Sequence, residues 1–177
     1  REDAISVLTD SRRLGTDAMG VLAGRHKRNW IQERVEDEAQ KAFELYEEAY
    51  RVAMSIDDAT QGYYHGINVA FLELVYKKNR NKAGEIARKV LELCDQARND
   101  ELPKNRMWRL VTEAEANLIL GNIDTALECY RQALEGPPRP KPWQFLSTSQ
   151  QALRIVDYLG EEQDAKRLVE LFSGDCT

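Results

Sequence analysis

Apolar side chains recur along this chain at intervals of three and four residues, and no stretch alternates apolar and polar positions long enough to suggest a strand. Ala39, Ala42, Phe43, Tyr46, Ala49, Tyr50 and Ala53 form one such helical stripe. Ile67, Val69, Ala70, Phe71, Leu74 and Val75 form a second, and Ala83, Ile86, Ala87, Val90, Leu91 and Cys94 a third, with the KKNRN loop between them. The stretch from Leu110 to Gly136 gives two more, separated by Gly121, and the loop over 136–142 holds four prolines, so no helix can run through it. Beyond it, Phe145, Leu146, Ala152, Leu153, Val156 and Leu159 predict a helix, Gly160 a turn, and Ala165 to Phe172 the last helix.

Upstream, Ile5, Val7, Leu8 and Leu14 predict a helix over 2–14 that Gly15 stops, either a cap or the second helix of a cut repeat. Thr16 then reads as the N-cap of a helix through Met19, Leu22 and Trp30. Gly20 and Gly24 weaken that helix and call for a neighbouring backbone close against it. The sum is about nine helices with four pairs, over 16–55, 60–98, 104–136 and 143–173. We expect residues 1–15 to stand apart from a repeat domain over 16–177.

The pattern repeats. Ala126, Tyr130 and Ala133 have the same spacing as Ala42, Tyr46 and Ala49, with small residues where helices must cross closely and a tyrosine filling the space beside them. Together with Ala114, Gly121 and Pro138, the segment LVTEAEANLILGNIDTALECYRQALEGPP resembles a tetratricopeptide repeat. Repeats of this kind cannot bury their apolar faces singly, so the expected fold is all-α, an α-α superhelix in which the first helix of each pair lines a concave face. The intervals are uneven, 39 residues from Ala126 to Ala165 and 41 from Ala42 to Ala83, which leaves the curvature open.

Composition narrows the function more than the fold. With 42% hydrophobic and 31% charged residues, the 177-residue chain suits a helix-rich globular domain, and no apolar run approaches the roughly 20 residues of a membrane span. A net charge of −5 gives no global attraction to nucleic acid or anionic lipid. Cys94, Cys129 and Cys176 are odd in number and widely spaced, which points to a reducing, cytoplasmic setting, and the first two sit on helical apolar faces as small hydrophobes. The absence of an initiator Met suggests a piece of a longer protein.

Candidate chemistry is sparse. His26 and His65 have no second ligand at metal spacing, so no metal and no cofactor is expected. Asp57, Asp58 and Glu36 to Glu38 fall at helix N-termini, where carboxylates meet the helix dipole and free N–H groups. No nucleophile elbow, phosphate loop or kinase signature occurs, and we expect no enzyme. The inner sides of the first helices instead offer Asn68, Trp108, Thr112, Glu115, Gln150, Arg154 and Asp157, with Arg25 and Arg28 beside them, a mixture suited to gripping a protein or peptide partner. Trp108 has an alternative, packing against the preceding pair. Val111 and Glu115 stand where the carboxylate clamp of co-chaperone repeats needs Lys and Asn, which disfavours chaperone tails. The second reading is a nucleic-acid or nucleotide-sensing module using Arg25, His26, Lys27 and Arg28, continued by Lys77, Lys78, Arg80 and Lys82. Against it stands a solvated face balanced by the acids over 33–38.

The segment Ala18 to Lys27, AMGVLAGRHK, followed by an Ala-rich helix and then Gly66-Ile67-Asn68, resembles the TRAF-binding helical repeat region of the apoptosis signal-regulating family of mitogen-activated protein kinase kinase kinases and its bacterial relatives. That family carries Leu-Gly-Arg-x-x-Lys and Gly-Ile-Asn in these relative positions; here Ala23 replaces the leucine. The resemblance spans roughly residues 16 to 160. It implies a regulatory, partner-binding segment of a multidomain signalling protein, in bacteria one coupled to a defence or effector domain, and does not extend to TRAF binding itself.

Overall fold

A computed structural model describes residues 15–99, 101–137 and 139–174. Among them are eight helices and no strand: α1 (Thr16–Glu33), α2 (Glu36–Ser55), α3 (Ala59–Val75), α4 (Arg80–Arg98), α5 (Pro103–Leu120), α6 (Ile123–Glu135), α7 (Pro142–Leu159) and α8 (Glu162–Ser173). The ninth expected helix, over 2–14, lies outside the described residues. None of the eight is long and apolar enough to cross a membrane.

Local chemistry sets the boundaries. Asp58 caps α3 by accepting the Gln61 N–H at 3.0 Å, and Asn79 caps α4 by accepting the Lys82 N–H at 3.1 Å. Pro103 and Pro142 each open a helix at the position where a missing N–H costs nothing. Gly121 and Gly160 end α5 and α7 in the left-handed conformation, φ 82° and 77°, where a side chain would be strained. Thr16 departs from expectation: it is the first residue of α1 and does not cap it, its hydroxyl donating instead to Gln61 Oε1 of α3 at 3.1 Å.

Consecutive helices pack as hairpins, and the hairpins stack so that α1, α3, α5 and α7 lie side by side with α2, α4, α6 and α8 behind them, an α-α superhelix. The curvature, undetermined by sequence, is tight: α7 reaches past α5 to touch α3. The core is continuous, and the small-Tyr-small pattern sits at its centre, with Ala42, Tyr46, Ala49, Ala126, Tyr130 and Ala133 all buried.

Gly20 and Gly24 do face close neighbours, but these are side chains and not the neighbouring backbone expected. A Cβ on Gly20 would stand 2.7 Å from His65 Cε1, and one on Gly24 3.3 Å from the Tyr46 hydroxyl oxygen. Gly66 is tighter against stiff neighbours, 2.8 Å from Val90 Cγ2 and 2.9 Å from Tyr50 Cε2. Gly66→Ala is therefore expected to destabilise by about 2 kcal/mol through overpacking, despite alanine's better helix propensity. Urea unfolding followed by circular dichroism reads this as a lowered midpoint with an unchanged slope; a raised midpoint would mean that propensity outweighs the clash.

Candidate functional site

The four first helices each send one polar side chain to a common point. Lys27 of α1 donates from Nζ to Asn68 Oδ1 of α3 at 2.5 Å and to Gln151 Oε1 of α7 at 2.8 Å. Gln151 in turn donates from Nε2 to Glu115 Oε2 of α5 at 2.8 Å, and Asn68 Nδ2 is anchored on the Tyr64 carbonyl at 2.9 Å. Gln151 thus bridges an ammonium and a carboxylate that do not touch. The Lys27 head lies among aromatic rings, 5.4 Å from the Phe71 ring centre and 5.7 Å from that of Tyr46.

Burial governs the electrostatics of this cluster. It pushes the Lys27 ammonium below its ordinary range, opposed by Glu115 and reinforced by the charges of Arg28 and Arg154. It pushes the Glu115 carboxyl above the carboxylate range, opposed by Lys27 and by the Gln151 hydrogen bond. Arg154, half-buried one turn beyond Gln151, is lowered by burial and by Arg34. Arg28, Arg34 and Arg154 make no ion pair among the described residues, so a cationic rim borders the cluster.

The sequence-based assignments fall into three groups. Asn68, Thr112 and Glu115 were expected on an open inner surface and are buried within the wall, because the tight curvature closes α7 over them. Trp108 is half-buried, its ring 6.1 Å from that of Trp143 on the following pair, a different neighbour from the preceding pair of the packing alternative. Arg25, Arg28, Gln150 and Asp157 are exposed, with Arg154 half-exposed. Sequence reasoning missed Lys27 and Gln151 as members of the site. In the sequence Lys27 reads as part of a basic patch and as the last residue of the family segment, neither of which places it in a site, and the phase of α7 falls one residue off, on Gln150.

The basic patch is not contiguous. His26 turns to Glu38, Nδ1 to Oε2 at 2.8 Å, and Lys27 turns inward, leaving Arg25 and Arg28 outside. Lys77 lies over the Phe43 ring and donates to Gln40, Lys78 lies over Tyr158, and Lys82 pairs with Glu85. Cys94 is buried, its thiol pushed up chiefly by burial, as suits a small hydrophobe.

His65 is a packed histidine. Its Nε2 faces Gln61 Oε1 at 2.9 Å, which places the ring proton on Nε2, and Nδ1 has no partner. Burial lowers its pKa to about 4, against the attraction of Asp17 and Asp58. The unfolded chain therefore binds a proton near pH 6.5 that the fold refuses, so this contribution is complete above pH 6.5 and lost as pH falls toward 4. The loss amounts to about 3 kcal/mol over that window. Urea midpoints measured from pH 7 to 4 should fall for the wild type and flatten for His65→Gln; parallel curves would assign the acid lability to another group.

These helix pairs, with their small-Tyr-small crossings and glycine turns, define a tetratricopeptide-like helical repeat protein. Consistent with that class, a family model described as Tetratricopeptide Repeats-Sensor (TPR-S) matches residues 1–73, so the N-terminal part of the chain, through α1, α2 and most of α3, is similar to that family. Comparison with curated proteins and with solved structures returns no match.

Proposed function

We propose that this chain is a non-catalytic interaction module, a regulatory segment of a larger cytoplasmic signalling protein, that binds a protein segment or a flanking effector domain on the side formed by its first helices. The observation that carries the reading is the convergence of α1, α3, α5 and α7 on one part-buried polar cluster bordered by the unpaired cations Arg28, Arg34 and Arg154. Bringing like charges together across a helix seam is unfavourable unless something anionic meets them. Repeats of this class generally serve protein association, and the matching family's description as a sensor supports recognition as the role. The likeness to the regulatory repeats of the apoptosis signal-regulating kinases points the same way.

Nucleic acid is the second reading, resting on the same rim, and it is weakened because His26 and Lys27 face inward. The test is a pull-down from source lysate with wild type and with Arg28→Glu/Arg154→Glu, after circular dichroism confirms folding. A protein held by the wild type and lost by the variant supports the reading; identical eluates sink the rim. Recovery of nucleic acid, with affinity falling steeply with salt, would favour the second reading.

A further inference from the structure

The repeat symmetry exposes a surface that the array covers elsewhere. Shifting by 39 residues carries the Gly121 turn onto Gly160 and maps Met107, Val111 and Glu115 of α5 onto Leu146, Gln150 and Arg154 of α7. On α5 that stripe is buried, with Met107 5%, Val111 4% and Glu115 4% exposed, and α7 lies against α5 there, setting Trp143 on Trp108 and Gln151 on Glu115. On α7 the equivalent stripe is open: Leu146 is 56% exposed, Trp143 one turn before it 61%, and Gln150 is exposed. No helix among the described residues packs on α7 as α7 packs on α5.

We propose that this outward face of α7 docks an amphipathic helix of a partner protein, with apolar side chains seated on Trp143 and Leu146 and carboxylates set against Arg154. The inference rests on the reading of the chain as a protein-binding module and names the partner's chemistry. The face runs from Trp143 to Asp157, about 20 Å along the helix, the footprint of a four-turn helix. Its two ends differ in character. Two large apolar side chains stand a turn apart at one end, as helix-in-groove anchors require. At the other, Arg154 is half-exposed and makes no ion pair among the described residues, Asp157 one turn on included, and the charge of Arg34 adds to its own, so charge complementarity selects acid opposite Arg154. A second copy of this chain is a poorer occupant, because an antiparallel α7 pair would oppose Leu146 to Arg154.

The test is selection of a helical peptide library on the wild-type chain, with affinities then measured by fluorescence anisotropy. The expected winners carry Leu or Phe at i and i+3 or i+4 and Glu or Asp two to three turns away. Their affinity should fall at least tenfold on Trp143→Ala/Leu146→Ala and on Arg154→Glu, and hold on the control Arg88→Glu. Winners without carboxylates, or no enrichment over the Trp143→Ala/Leu146→Ala chain, overturn the proposal. So does a dimer in sedimentation that Leu146→Glu disperses, since the face would then belong to a second copy. If the Trp143→Ala/Leu146→Ala chain still pulls down the protein that Arg28→Glu/Arg154→Glu loses, this inference fails while the proposed function stands.

Discussion

Arg109→Ala is expected to cost about 3 to 5 kcal/mol, the range found when one partner of a buried ion pair is removed. Arg109 is buried on α5 and forks onto Glu101, with Nε to Oε1 at 2.6 Å and Nη2 to Oε2 at 3.2 Å, while Nη1 donates to Glu113 Oε1 at 2.7 Å. Arg98, at the end of α4, donates to the same Glu113 oxygen at 2.8 Å. Although burial works against the guanidinium's charge, the two carboxylates hold its pKa above the ordinary value, so it stays charged at any working pH. Removing it leaves Glu113 buried with Arg98 alone, itself mostly in solvent, and frees the turn through Glu101 that joins the second hairpin to the third. Unfolding in urea should show the loss, and Tm should fall by about 2 to 4 °C per kcal/mol for a chain of this size. Arg109→Met/Glu101→Leu/Glu113→Leu should recover most of it, since apolar groups of similar volume avoid the desolvation of all three charges. A single variant as stable as the wild type would show the network to be surface decoration.

The small-residue crossings, the glycine turns and the Asp58 cap were legible in the sequence because each follows from a local rule, whereas Glu36 to Glu38 lie in the first turn of α2 without a cap hydrogen bond. Ala126, Tyr130, Gly121 and Asp58 do what their spacing implies. Gly20 was legible as a demand for close packing, though not that His65 would meet it. The closure of the array was not legible. Whether Asn68 and Glu115 face solvent or each other's helices depends on the sum of small rotations between hairpins, and helical periodicity does not encode that sum. The inward turn of Lys27 escaped for a related reason. A lysine in a run of basic residues reads as surface, and the partners that make its burial tolerable, Asn68 and Gln151, are 41 and 124 residues away.

Lys27→Met is expected to cost about 3 to 5 kcal/mol at pH 8 and distinctly less below pH 6. The variant keeps the aliphatic length among Tyr46 and Phe71 but takes away the cation that offsets Glu115. Burial alone then acts on that carboxyl, and its folded pKa rises further above the ordinary 4.5. An acid whose pKa is higher folded than unfolded binds more protons in the fold, so its stability contribution is intact below pH 4.5 and is lost as pH rises through the folded value. Stability of Lys27→Met should therefore decline with rising pH more steeply than that of the wild type. Lys27→Met/Glu115→Gln removes the titrating group while leaving an oxygen to accept from Gln151, and should abolish the extra slope. This trend is opposite in sign to that of His65, whose contribution disappears as pH falls. The two windows overlap between pH 4.5 and 6.5 and oppose each other there, so His65→Gln and Glu115→Gln are needed to separate them, and a steep alkaline decline that survives Glu115→Gln would assign the effect to a group other than Glu115.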